Sequence, residues 1–150
     1  MIEAIYIANE RNAVQEQVER IELEQAKGIV GDRYFGRSDY PGQQITFIER
    51  EEIESYNQKY QQNIDLCDTR RNVITHGIRL NDFVGKTFQI GEVKFMGVEL
   101  CEPCATLGGR LENEAIPKND VIKAFVHKGG LRADVLSDGC IEVGMRINCN

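Results

Sequence analysis

The chain has 150 residues, 41% of them hydrophobic and 28% charged. That length gives one domain, spanning 1–150, with a core large enough to need no disulfide or zinc staple, and the composition excludes global disorder. Its 18 basic and 24 acidic residues give a net charge of −6, which argues against bulk nucleic-acid binding, and no apolar run reaches the roughly 18 residues of a membrane span.

The opening MIEAIYIANERN lacks the basic start and long apolar stretch of a signal peptide, so a cytoplasmic location is expected. Within it Ile2, Ala4, Tyr6 and Ala8 alternate with Ile5 and Ile7, predicting a largely buried strand. Ile21 and Leu23 alternate with Glu22 and Glu24 in a second strand, and GQQITFIE (42–49), opened by Pro41 and Gly42, is a third. EREEIESYNQKY (49–60) places Ile53, Tyr56 and Tyr60 on one helical face, with an acidic first turn that suits the helix dipole. Residues 58–71 read as a polar connection, and Arg71 to Thr75 as a fourth strand.

KTFQIGEVKFMGVELC (86–101) carries a hairpin signal around Gly91. KNDVIKAFVHKGG (118–130) groups Val121, Ile122 and Phe125 and ends on Lys128 and Gly129, a helix with a C-terminal stop. GGLRADVL (129–136) and CIEVGMRI (140–147) are two more strands, separated by Ser-Asp-Gly. The fold class expected is mainly β: a closed or nearly closed barrel of about 7–8 strands with two or three peripheral helices.

Five cysteines, Cys67, Cys101, Cys104, Cys140 and Cys149, stand at irregular spacing and read as thiols rather than a disulfide framework. Cys140 heads a strand and is expected in the core; Cys149 is expected in a frayed tail. The two histidines, His76 and His127, nearly exclude a multi-histidine metal site and argue against a Ser-His-Asp triad. His76 is expected in a turn with Gly77, satisfied by backbone.

Three segments carry candidate chemistry. GIVGDRYFG (28–36) has three glycines around Asp32 and Arg33, a tight turn whose N–H groups and guanidinium suit an anion. It lacks the Walker and dinucleotide spacings, and on spacing alone an irregular turn between strands is the favoured reading. In DTRRNVITHGIRL (68–80), Arg70, Arg71 and Asn72 open a strand with a fork suited to phosphate or carboxylate, or form a charged strand end facing water.

VELCEPCATLGG (98–109) holds the only C-x-x-C, at Cys101 and Cys104. No second ligand pair accompanies it for zinc, and no βαβ pattern for a thioredoxin-like role. The segment after Pro103 can open a short helical turn that lowers the pKa of Cys104, giving a thiolate for a soft metal or a sulfur atom. Read alone, the two cysteines also fit as small side chains buried at a strand end.

In this order and separation, these segments resemble the MOSC domain family, named for the C-terminal domain of molybdenum cofactor sulfurases. The likeness runs through GIVGDRYFG, QQITFIEREE, RRNVITHGIRLNDFVGKTFQIG and ELCEPCATL to GGLRADVLSDGCIEVGMRI, nearly the whole chain. It implies a β-barrel and one functional cysteine, for which Cys104 matches the family position better than Cys101. It also implies a molybdenum-pterin cofactor, or a sulfur atom, on that thiolate. Cys104 would then be the molybdenum ligand or persulfide site, with Arg71, Asn72, Asp32 and Arg33 around the cofactor.

Some members, such as the mitochondrial amidoxime reducing component, reduce N-hydroxylated compounds. Such turnover here would take electrons from a partner reductase, since no ferredoxin-like cysteine cluster is present. The desulfurase domain of full-length sulfurases has no counterpart in these residues, so no pyridoxal phosphate is expected. Three roles follow: a molybdenum-dependent reductase, a persulfide or cofactor carrier serving a sulfur donor or acceptor protein, and an interaction module that has lost the thiol's role.

Overall fold

The structure, a computed structural model, describes residues 1–149. Strands β1 (Ile2–Ile7), β2 (Glu16–Val18), β3 (Arg20–Glu24), β4 (Gly28–Ile29) and β5 (Ile45–Glu49) precede helix α1 (Arg50–Tyr60). Strand β6 (Val73–Thr75), a 3-10 turn (Leu80–Phe83), β7 (Thr87–Ile90) and β8 (Val93–Leu100) follow. Helices α2 (Ala105–Leu111) and α3 (Lys118–Ala124) then lead into β9 (Leu131–Val135), β10 (Gly139–Glu142) and β11 (Ile147–Cys149).

Eight strands form one sheet in the order β11-β7-β8-β9-β5-β6-β1-β2, and β10-β3-β4 form a second. The large sheet curls into a half-barrel that stays open between β11 and β2. All its pairings are antiparallel except β5 with β6, where α1 makes the crossover that parallel neighbours require.

Two apolar clusters explain the sequence patterns. Inside the curl, residues of both sheets meet around Phe47, Phe88 and Phe95, whose ring centroids lie 5.2–5.8 Å apart. On the outer face, Ala4, Tyr6, Ile48 and Ile74 pack under Ile53 and Tyr56 of α1, Leu107 of α2, and Val121 and Phe125 around α3. Strands β1, β5 and β6 are therefore covered on both sides, and for that reason they read as nearly continuous apolar runs.

Three short strands, β2, β4 and β11, go beyond the sequence reading, and the 140–147 strand stops at Glu142. Cys149 is not frayed: it lies in β11 and pairs with Phe88 of β7. Cys140 is not core, because β10 buries Ile141 and turns Cys140 toward Arg20, whose Nη2 lies 2.9 Å from its Sγ. His76 is held by a side chain as well as backbone: its Nδ1 lies 2.6 Å from Glu51 Oε1.

Candidate functional site

The chain places Cys104 where three elements meet. After β8 the backbone leaves the sheet at Cys101, whose N–H donates to Gly130 O, and Pro103 keeps it extended until α2 begins. Cys104 is the residue just before α2, in extended conformation (φ −129°, ψ 176°), and its side chain is exposed. Its sulfur makes no capping hydrogen bond of full geometry, yet the N–H groups at the helix start act on it. The Leu107 amide is the strongest influence lowering the thiol pKa; partial burial opposes it, and the Thr106 amide, Thr106 hydroxyl and Arg71 guanidinium reinforce it.

Cys101 behaves oppositely. It is 1% exposed, and burial pushes its pKa up. Both cysteines are free thiols, so only Cys104 presents a thiolate to solvent.

Cys104 opens onto a cavity of about 200 Å³. Six arginines line it, Arg11, Arg33, Arg70, Arg71, Arg110 and Arg132, against one carboxylate, Glu102. An acidic chain thus gathers six of its 11 arginines around one thiol. Arg33 pairs with Asp32 at 3.0 Å, and Arg132 has a long contact with Glu99 at 3.8 Å. The other four have no carboxylate partner among the described residues.

Backbone oxygens set the posture of two of them. Arg71 Nε donates to Gly129 O at 2.9 Å, and Arg70 Nη1 to Ala13 O at 2.6 Å. Arg70 Nη2 is buried with no partner, and the residue itself sits in the left-handed region at φ 59°. Desolvation, then Arg33 and Arg110, lower the Arg70 pKa; Arg110 is lowered the same way, by desolvation and then Arg33. Guanidiniums forced together without carboxylates describe a seat for an anion.

The five residues singled out from the sequence divide into wall and support. Cys104, Arg33 and Arg71 line the cavity. Asp32 lies behind it, with Oδ1 accepting from Ala8 N at 3.2 Å and from Arg33, and Oδ2 accepting from Tyr34 N at 3.3 Å. Asn72 is also behind the wall: Oδ1 accepts from the N–H and hydroxyl of Thr46, and Nδ2 donates to Tyr6 O at 3.2 Å. Thr46 is itself a wall residue, so Asn72 fixes one side of the cavity from within.

Sequence reading missed Arg11, Tyr34, Tyr40, Arg110 and Arg132 as wall residues. One signal was present for Arg132: on β9 it alternates with buried Leu131 and Ala133, so it must face away from the core. The rest come from separate loops and one helix, and no local spacing marks them. The cavity is also longer than its local volume suggests. Arg11, Arg33, Tyr34 and Gln43 also border a neighbouring hollow reaching Arg37, and Arg70 and Arg110 border another reaching Gln15 and Cys67.

The family model of the MOSC domain matches residues 30–148, which include Arg33, Thr46 of β5, Cys104 and Arg132 of β9. The chain belongs to the MOSC domain family. This family is associated with molybdenum cofactor binding.

Solved structures agree on the MOSC fold. The YuaD protein from Bacillus subtilis is 18% identical, with a TM-score of 0.85 over 99% of this chain and 93% of that one. YiiM from Geobacillus stearothermophilus is 15% identical (TM-score 0.74, covering 100% of this chain and 75% of that one). YiiM from Escherichia coli is 14% identical (TM-score 0.71, covering 99% and 69%). At such identities the likeness is one of fold. No curated protein matches the chain. No helix among the described residues is long and apolar enough to cross a membrane.

Proposed function

We propose that this MOSC domain binds a molybdenum-pterin cofactor through the Cys104 thiolate and uses it to reduce N-hydroxylated compounds with electrons from a partner reductase. The observation that carries the reading is the exposed, acidified thiol of Cys104 on a cavity with six arginines and one carboxylate.

The residues present suit such a group. A single thiolate serves a metal that arrives with its own ligand set; among the described residues no cluster of three or more His, Cys, Asp or Glu is placed to hold a bare ion. Arg70, Arg71 and Arg110, without carboxylate partners, suit the pterin's phosphate, and Arg70 Nη2 is a buried donor still lacking an acceptor. When bound, the molybdenum supplies the electron chemistry.

The chain's own residues would bind, orient and deliver protons. Asp32 fixes the turn that aims Arg33, and Asn72 fixes Thr46. Converting an N–OH to an N–H releases water and consumes two electrons and two protons. Glu102, the one carboxylate of the cavity, can carry those protons at its Oε1, which lies 3.2 Å from Nδ1 of solvent-exposed His127. The thiol state of Cys101 and Cys104 suits the reducing cytoplasm.

A second reading is a persulfide or cofactor carrier serving a sulfur donor or acceptor protein, and the exposure of Cys104 favours it. Molybdenum content separates the two. Wild type and Cys104→Ala are produced in a host competent to make the pterin cofactor and subjected to elemental analysis. Metal in the wild type alone supports the cofactor reading; metal in neither protein overturns it and turns attention to sulfane sulfur on Cys104.

A further inference from the structure

A second cavity, of about 250 Å³, lies between α1 and the segment that follows α3, and it shares no residue with the Cys104 cavity. Its lining includes Glu52, Tyr56 and Lys59 on one side and Lys123, Val126 and Lys128 on the other. The two cavities sort the basic residues by type: no lysine lines the first and no arginine lines the second. None of the three lysines makes an ion pair among the described residues.

Two of these lysines have a local reason to be there. Lys59 and Lys123 stand in the last turns of α1 and α3, where a positive charge offsets the helix dipole. That reason does not cover Lys128, and it does not cover Tyr56. Tyr56 is 4% exposed, packed against Phe125 at 4.7 Å between ring centroids, and its buried hydroxyl has no hydrogen-bond partner. Glu52, one helical turn earlier, spends Oε1 on Arg79 at 3.0 Å and leaves Oε2 buried and without a partner. A buried polar atom left unpaired is costly, so a donor and an acceptor on two residues that line one cavity define what would satisfy them.

We propose that this cavity is a binding site for a hydroxylated oxyanion, hydrogenphosphate or a small phosphate monoester. One anionic oxygen accepts from the Tyr56 hydroxyl. A hydroxyl of the ligand donates to Glu52 Oε2. The ammonium groups of Lys59, Lys123 and Lys128 balance the charge. A ligand with acceptors only would leave Glu52 facing an anion, so the cavity discriminates against sulfate.

The test is a titration of the isotope-labelled protein with inorganic phosphate, glycerol 3-phosphate or sulfate, followed through backbone amide signals. Phosphate or the monoester is expected to shift Lys59, Tyr60, Lys123 and Ala124 saturably, and the tighter of the two identifies the source. Sulfate is expected to bind at least about tenfold more weakly at those residues. Tyr56→Phe, which keeps the ring packing, and Lys123→Ala at an exposed position should each weaken the phosphate response there. Shifts at Thr106, Leu107 and Arg110 report the Cys104 cavity independently, and Arg71→Ala should reduce those alone. No saturable shift at Lys59 and Lys123 with either phosphate ligand, sulfate binding as tightly as phosphate, or a response unchanged in both variants overturns the proposal.

Discussion

Gly129 lies against Cys101 so closely that a Cβ on the glycine would overlap the cysteine's carbonyl oxygen. The same glycine accepts Arg71 Nε through its own carbonyl. One backbone contact therefore joins the end of β8, the start of β9 and the arginine that faces Cys104.

Gly129→Ala is accordingly expected to destabilise the fold by about 1–3 kcal/mol through overpacking. It should also slow thiol labelling at Cys104, because Arg71 loses its fixed position. Gly109→Ala is the control: nothing lies within 4 Å of its added methyl, and in the middle of α2 alanine should gain about 0.5–1 kcal/mol. Urea unfolding of the two variants checks both signs.

The Asp32–Arg33 pair makes a second test. Side-chain exposure is 1% for Asp32 and 9% for Arg33, so neither charge is screened by water. Asp32→Ala strands Arg33 and frees the N–H groups of Ala8 and Tyr34, at an expected cost of about 3–5 kcal/mol. Arg33→Ala leaves the carboxylate with two amide donors and should cost less. A double-mutant cycle on denaturation midpoints measures the difference; equal costs would mean the pair is not the support for this turn.

Cys104 should ionise below the pH at which an ordinary cysteine does, about 8.5. Because its pKa is lowered, the labelling rate with iodoacetamide should rise through a midpoint below that value. Arg71→Ala and Thr106→Val each remove an influence that favours the thiolate, so each moves the midpoint upward. Below it, labelling should slow roughly two- to fivefold, the scale of an exposed charge contact. Peptide mapping should find Cys101 unlabelled until the protein unfolds, since it is buried with a raised pKa. Native labelling of Cys101 at the rate of Cys104 would contradict the assignment.

The legible part of this protein was what short-range pattern encodes. Alternation located β1 and β3, turn residues bracketed β5 and β9, and the Pro103 stop followed by a short helix placed Cys104 at the start of α2. Strands of two or three residues such as β4 and β2 are too short for alternation to register, and partner strands decide them. The Gly-Asp-Arg turn was visible, but the division of labour between Asp32 behind the wall and Arg33 on it was not. Both are polar, and only the three-dimensional path shows that Asp32 faces Ala8. Arg11, Arg110 and Arg132 belong to three distant segments, so their convergence is a property of the curl of the sheet and not of any motif.

Arg110 separates function from stability most cleanly. It makes no hydrogen bond or ion pair among the described residues, yet it faces Arg33 and Arg71 across the cavity and experiences both as repulsion. Removing it relieves that repulsion and breaks no hydrogen bond or ion pair, so Arg110→Ala should leave unfolding within about 0.5 kcal/mol of wild type. An anion in the cavity, by contrast, loses a guanidinium. Charge-assisted hydrogen bonds contribute about 1.5–3 kcal/mol, so pyrophosphate should bind roughly ten- to a hundredfold more weakly. The readout is protection of Cys104 from iodoacetamide by pyrophosphate, titrated in both proteins. Equal protection with unchanged stability would show that Arg110 is an idle surface charge and that the anion is held by Arg70 and Arg71 alone.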